Sequence, residues 1–531
     1  MLESLIHKLK IHLGPELTIL AALGLLLCFS YFAYHLTYKG THQIPLPPGP
    51  RPLPLIGNLH QHSGSEQWVQ YNEWHEKHGP VMTVKLGMRT VVLLNTHEAV
   101  NDLLVRQGRV YCSPPKLHFI GDCMIQGRVP ILMPHSKERR EVHRLFKNLL
   151  RHQACEAYAP LQERESLRFM RSLLKPDGKD QHIWAYSVGN TTTLMYGEQQ
   201  SDEQQHAEVR EIRSIFADVL GGISKENLLP ELYPFLNRIP DPFNPWKKAG
   251  ASINNIFTKF WARRMERGLN HENWNWSRLL NDNKPNYMTK DELLYWIVEL
   301  EFASIASTTV LIGSFMAAVV TNPEVANEVR AEIDAVIGSD RLPTMNDQDK
   351  LPLLRAFINE LMRWRGTPPL SMPYQGEEDV EYNGYRIPSN ALVVANQWSL
   401  NMDPEIYPEP EKFIPQRWID NPKLKKPYLF GHGRRVCPGE EFARNSLFIT
   451  FAQILWAFEI VPASPKFGQS RVPGLSMGAN EGTDDLTFVP RDSKRSSVLE
   501  RTCQFLAQDK ELLDDAALTV PLQLSTMASA E

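Results

Sequence analysis

The stretch that most restricts this chain lies past its midpoint. Thr289-Lys290-Asp291-Glu292 reads as a capping box, in which the Thr hydroxyl takes an N–H of the first turn and the Glu reaches back to the Thr N–H. From there to Thr321 nothing breaks a helix, which at about 1.5 Å per residue gives close to 50 Å. Any fold for the chain has to be built round that rod. Its middle, ELEFASIASTTVLIGSFMAAVV, is crowded with Ala, Ser, Thr and Gly, with hydroxyls in a row at Ser307, Thr308 and Thr309. Small side chains let something flat pack close against the helix, and a close-packed central helix would use the same residues.

The rest of the body is mostly of the same kind. QWVQYNEWHEKHG, KERREVHRLFKNLLRH, VREIRSIFADVL, INNIFTKFWARRMERGL and PEVANEVRAEIDAVIG carry apolar residues three and four apart, the helical period. VMTVKLG and TVVLLN, with Gly87 to Arg89 between them, predict a hairpin, and VEYNGYRIPSNALVVAN two more short strands round a turn. The class is therefore mainly α with a minor β part, α+β. With 531 residues the chain can bury a large core. Its net charge of −4 gives no global pull toward nucleic acid. The cysteines, at 28, 112, 123, 155, 437 and 503, lack the paired spacing of a disulfide framework or zinc site, which fits a reducing compartment.

The N-terminus predicts a membrane anchor. LTILAALGLLLCFSYFAYHL, residues 17–36, runs about a bilayer's thickness without a formal charge, longer than the apolar core of a cleaved signal and with no small-residue cleavage site after it. PLPPGPRPLPLIGNL follows, and its alternating prolines make a stiff hinge. The expected division is an N-terminal segment 1–16, a transmembrane helix 17–38, a hinge 39–59, a catalytic domain 60–490 and a C-terminal extension 491–531. The cysteine pattern puts the large domain in the cytosol. There the sequons at Asn190 and Asn275 would not meet the glycosylating enzyme.

Chemistry concentrates near the C-terminal end. In FGHGRRVCPGEEFARN a lone thiol, Cys437, sits between a glycine-rich loop and the start of a helix, with Arg434 and Arg435 beside it. A helix N-terminus and arginines lower a thiol pKa, so the expectation is a thiolate acting as nucleophile, as metal ligand, or as neither. Upstream, Glu360 and Arg363 stand one helical turn apart, and DPEIYPEPEKFIPQRW offers Arg417. The third glycine of a dinucleotide loop is missing, and no P-loop, H-E-x-x-H or G-x-S-x-G occurs.

In this order, the small-residue helix, Glu360-x-x-Arg363, Pro415-x-Arg417 and Phe430-x-x-Gly433-x-Arg435-x-Cys437-x-Gly439 resemble the cytochrome P-450 family of haem-thiolate monooxygenases, fungal membrane-bound members especially. The resemblance runs from the hinge to about residue 490. It implies the family fold, a long central helix over haem, here preceded by one transmembrane helix. Cys437 would be the thiolate ligand to the iron of haem b, a ligand that favours O–O cleavage. Gly433 and Gly439 would let backbone approach the porphyrin and the sulfur, Phe430 would pack on the ring, and Arg435 would pair with a propionate. The family's Trp-x-x-x-Arg aligns with Arg139 and His143, both able to donate to a carboxylate. Glu360, Arg363 and Arg417 would form a structural ion-pair network behind the haem.

The implied function is oxidation of a lipophilic small molecule with O2 and electrons from an NADPH-dependent reductase, at the endoplasmic reticulum membrane, in fungal secondary metabolism. The pocket would draw on residues 110–132, 303–307, 367–373 and 474–478. Arg140, Arg144, Lys147 and Arg151 would form a cationic face for the reductase. On the central helix the family places an acid and a Thr that relay protons. Here the acid aligns with Ala306 and the hydroxyl with Ser307, or one residue later with Thr308, and neither register has a carboxylate. Two alternatives stand beside this: the same fold performing dehydration, coupling or rearrangement without oxygen insertion, and a membrane-tethered haem-binding sensor without turnover.

Overall fold

The capping box forms where the sequence puts it. Thr289 Oγ1 accepts the Glu292 N–H, the Glu292 side chain accepts the Thr289 N–H at 2.8 Å, and one helix runs Lys290–Thr321 until Pro323 removes the next donor. The computed structural model describes residue 24 and residues 44–62, 66–175, 178–223, 226–462, 483–504 and 513–520. The expected anchor at 17–38 therefore lies, Gly24 apart, outside the described residues. The central helix is itself long and apolar enough to cross a membrane, but most of it is buried in the body.

Two layers of apolar side chains surround it. On one side Phe315 stacks on Phe451 of the helix Glu440–Ala457 at 3.8 Å between ring centres, with Phe357 edge-on. On the other, Phe302 stacks on Phe216 at 3.9 Å. The third of the row of hydroxyls, Thr309, points outward from the cleft described below and donates to Ser187 Oγ of the helix Lys179–Tyr196 at 2.9 Å. Buried Glu301 accepts from Tyr196 Oη, Trp261 Nε1 and Arg264, tying the central helix to the helix Pro245–Asn270. In an apolar setting such a carboxylate is tolerable because each donor replaces a lost water.

The predicted hairpin is β1, Val81–Leu86, and β2, Arg89–Leu94, paired antiparallel across Gly87-Met88. The second prediction needs correcting, because its segment gives three strands. Tyr374–Gln375 is β3. Val380–Tyr382 and Tyr385–Ile387, β4 and β5, close a hairpin on Asn383 and Gly384, both at positive φ. Leu392–Ala395, β6, leaves that hairpin to run parallel to β2, giving the order β1-β2-β6-β3. Phe458–Pro462 and Leu486–Pro490, β7 and β8, pair after the cysteine-bearing segment.

The described parts of 491–531 pack on this body. Arg491 and Arg495 both bridge to Asp334, and Val498 and Leu499 of the helix Ser493–Gln504 are buried. Further on, Val520 carbonyl accepts Trp274 Nε1 at 3.0 Å and Thr519 carbonyl accepts Arg151 at 3.0 Å.

Candidate active site

The cysteine loop is a set of tight turns. Gly431 and Gly433 sit at φ +86° and +55°, and a Cβ on Gly433 would lie 2.1 Å from the Leu104 carbonyl oxygen, so only glycine fits there. The Cys437 N–H donates to Phe430 carbonyl at 2.7 Å, and the Gly439 N–H donates to Cys437 Sγ at 3.3 Å. Gly439 then caps the helix Glu440–Ala457. Phe430 is half-buried, with the Arg444 guanidinium 5.4 Å from its ring centre. Among the described cysteines Cys112, Cys123 and Cys155 are buried and Cys503 half-buried, whereas Cys437 is accessible. Protein atoms nevertheless desolvate its thiol, so it lines an internal cleft rather than the outer surface.

That desolvation corrects one expectation. Burial pushes the Cys437 pKa up, the Gly439 N–H pulls it back, and Glu440 and Glu299 push it up further. The arginines do not make a thiolate. Arg434 is exposed, and Arg435 turns away to donate to Pro373 carbonyl at 3.0 Å and Ile131 carbonyl at 2.8 Å, its guanidinium 5.0 Å from the Tyr374 ring centre. A cation at the sulfur is what this loop needs for a thiolate.

The central helix contributes a second wall. In its middle turns Ala303 and Ser307, one turn apart on one face, are exposed, while Glu299, Leu300, Phe302 and Ser304 are half-buried. Ser307 Oγ donates to Ala303 carbonyl at 2.9 Å. Thr308 is buried. Ala306, which one of the two family registers aligns with the acid, is buried too, its methyl group packed in the core.

One turn before Ala303 on this same face is Glu299, which the sequence reading missed. The signal was a carboxylate inside an apolar helix, four and eight residues before the two accessible positions. Its Oε2 accepts the Ile131 N–H at 2.7 Å, so Glu299 and Arg435 grip the two peptide units that flank Ile131. Arg139, on the helix Lys137–Leu149 capped by Ser136, donates to Cys112 carbonyl at 3.0 Å. Burial drives the Glu299 pKa up to about 7, with the Ile131 N–H, Arg139 and Arg435 opposing. Burial also lowers both arginines, Arg435 to about 10, and they stay charged at neutral pH. His143, half-buried one turn beyond Arg139, has its pKa lowered first by burial and then by Lys147 and Arg139. It is a neutral donor at best.

Behind the loop, Arg363 Nε and Nη2 meet both Glu360 oxygens at 2.9 and 2.7 Å, and Arg417 Nε approaches at 3.3 Å. Two further donors were not foreseen: Trp418 Nε1 at 2.9 Å and the Ile414 N–H at 2.8 Å. Arg363 also donates to the carbonyls of Asn401, Pro410 and Lys412. Of the cationic face, Arg140, Arg144 and Lys147 are exposed, but Arg151 lies beyond the helix end at Leu149 and is half-buried against Thr519. The pocket segment 474–478 lies outside the described residues.

An accessible sulfur within electrostatic reach of the central helix, and two guanidinium groups beside Glu299, are residues that could serve a haem as thiolate ligand and as carboxylate partners. The comparisons with known proteins agree. The family model described as Cytochrome P450 matches residues 47–480. The chain is 35% identical over 467 residues to cytochrome P450 monooxygenase criE of Aspergillus cristatus, covering 86% of this chain and 87% of the relative. It is 33% identical over 482 residues to cytochrome P450 monooxygenase peniB of Penicillium patulum, covering 88% and 89%. With cytochrome P450 monooxygenase okaD of Penicillium ochrochloron the match is 32% over 543 residues, covering 98% of this chain and all of the relative. The chain belongs to the cytochrome P450 family, an oxidoreductase of the monooxygenase class whose cofactor is a haem-thiolate.

Proposed function

We propose that Cys437 binds the iron of haem b and that the protein oxygenates a lipophilic small molecule of fungal secondary metabolism, drawing electrons from an NADPH-dependent reductase. The observation that carries this reading is Cys437 Sγ itself: accessible inside a desolvated cleft, free of any side-chain partner among the described residues, and steadied by the Gly439 N–H. When bound, a haem with a thiolate ligand activates dioxygen with two electrons, inserting one oxygen atom into a C–H bond and reducing the other to water.

The residues then have separate tasks. The Gly439 N–H holds the sulfur and tempers its donation. Arg139 and Arg435 neutralise propionates, for which their charged fork geometry is suited. Glu360, Arg363 and Arg417, with Trp418 and Ile414, fix the segment leading into the loop, and stranding one partner of such a buried set costs about 3–5 kcal/mol. Apolar Ile131 and Met372, accessible beside Arg435's carbonyl partners, favour an apolar substrate. With no carboxylate at position 306, Ser307 is the hydroxyl best turned to pass protons into the cleft.

Exposed Arg140, Arg144 and Lys147 support reductase docking on that helix. Membrane attachment is supported by accessible apolar residues on linked segments: Leu53, Leu55 and Ile56 of the hinge, Met88 of the β1–β2 turn, and Phe235 of the segment bonded to it through Met88 N–H and Leu232 carbonyl. The attachment we propose is a single-pass anchor in the endoplasmic reticulum with the catalytic domain cytosolic.

Turnover under labelled dioxygen tests the net reaction. The substrate is taken from metabolite profiles of a strain lacking the protein. One labelled oxygen atom in the product is expected. A product formed at full rate without label would replace oxygenation by dehydrogenation or coupling on the same site.

A further inference from the structure

Glu299 is an ionisable group beside the cleft to which the proposed mechanism gives no task. Its surroundings can be counted. The helix Lys137–Leu149 brings Arg139, the cysteine loop brings Arg435 and Cys437, and the 130–132 turn brings the Ile131 N–H; neutral His143 lies beside Arg139, and Tyr374 of β3 beside Arg435 and Arg139. The positive charges facing it are therefore Arg139 and Arg435. A ferric haem core carries one net positive charge, which a thiolate cancels, and its two propionates need two cations. Those cations are the same two arginines. An ionised Glu299 would leave this buried pocket one negative charge in excess, which a low-dielectric site does not tolerate when a proton can be kept instead. The helix also fixes the group: its side chain is pinned by Ile131, whose carbonyl Arg435 holds on the other side of the same residue.

We propose that Glu299 is a third member of the propionate pocket, kept as a neutral carboxylic acid that donates its hydroxyl hydrogen to a propionate shared with Arg139 and Arg435. It supplies by hydrogen bonding what a further cation would supply by charge, much as a protonated buried acid serves as a donor elsewhere. The inference rests on the haem-thiolate reading, since without haem there is no propionate to receive the bond. Glu299 is thus a positioning residue for the cofactor.

The experiment uses full-length holoprotein: wild type, Glu299→Gln and Glu299→Ala. Three quantities are measured: the reduced carbon monoxide spectrum, the rate of haem transfer to excess apomyoglobin, and the haem reduction potential from pH 6 to alkaline pH. A neutral acid and an amide carry the same charge, so Glu299→Gln should match the wild-type potential at pH 6. The two should part only at alkaline pH, the wild type falling lower as Glu299 ionises. Haem transfer should stay within about twofold for Glu299→Gln and rise about tenfold or more for Glu299→Ala, the loss of a hydrogen bond to a charged group. A normal thiolate spectrum with the Glu299→Gln potential already raised at pH 6 would overturn the neutral acid alone. So would unchanged haem transfer in Glu299→Ala. A wild type without the red-shifted band would overturn the haem-thiolate reading and this proposal together.

Discussion

Ser307 and Thr308 are neighbours with different prospects. Consecutive helical residues point about 100° apart, so only one of them can share the face of Ala303, and that one is Ser307. Its hydroxyl hydrogen is already given to Ala303 carbonyl, leaving its oxygen lone pairs open to a donor in the cleft. We expect Ser307→Ala to cut product formation about a hundredfold, the usual scale for losing a positioned proton-transfer group. NADPH consumption should continue, with hydrogen peroxide making up the difference. Thr308→Ala, a change in a buried wall, should retain coupling. Product and peroxide measured per NADPH decide the matter: loss confined to Thr308→Ala would move the relay one residue along. The residue scale also marks where sequence reading stops. Glu360, Arg363 and Arg417 were legible because their spacing is local or motif-borne, whereas Ile414 and Trp418 join them only because a loop folds their donors onto the same carboxylate. Glu299 was hidden by its setting, one of two carboxylates in the apolar middle of the helix, with partners that come from three other segments.

Elements were more legible than their ends. The central helix was readable because its start is chemical, a Thr and a Glu three residues apart, and its end is a proline. The helix Lys137–Leu149 was read too long, through Arg151, because LLRH keeps the apolar period after the backbone has turned. The cationic face accordingly shrinks to Arg140, Arg144 and Lys147, on three successive turns and exposed. Charges of this kind act on encounter rate more than on affinity and are screened by salt. Reversing Arg144 and Lys147 to Glu should therefore slow reductase-supported turnover about tenfold or more at low ionic strength, where steering governs association. It should also flatten the salt dependence and leave peroxide-driven turnover unchanged. Equal losses in both assays would assign the effect to the fold of the helix. Strand pairing was the less legible part: β6 joins β2 across roughly three hundred residues of chain, a contact no local pattern announces.

At the scale of the whole molecule, the mainly helical body with its small sheet was legible from periodicity, and the cleft was legible from one motif. What the sequence could not display is the balance of solvation round that cleft. Arginines adjacent to Cys437 in sequence suggested a ready-made thiolate, but the folded chain turns Arg435 to backbone carbonyls and desolvates the sulfur, so its pKa rises. The metal, not the protein's own cations, has to hold the thiolate form. That makes the link between Cys437 and iron the central claim, and its most direct measurement is the reduced carbon monoxide difference spectrum of full-length protein. The wild type, and Cys112→Ser, Cys123→Ser, Cys155→Ser and Cys503→Ser, should each show the red-shifted Soret band of thiolate ligation, and Cys437→Ser should lose it. A Cys437→Ser protein that keeps the shifted band would contradict the account.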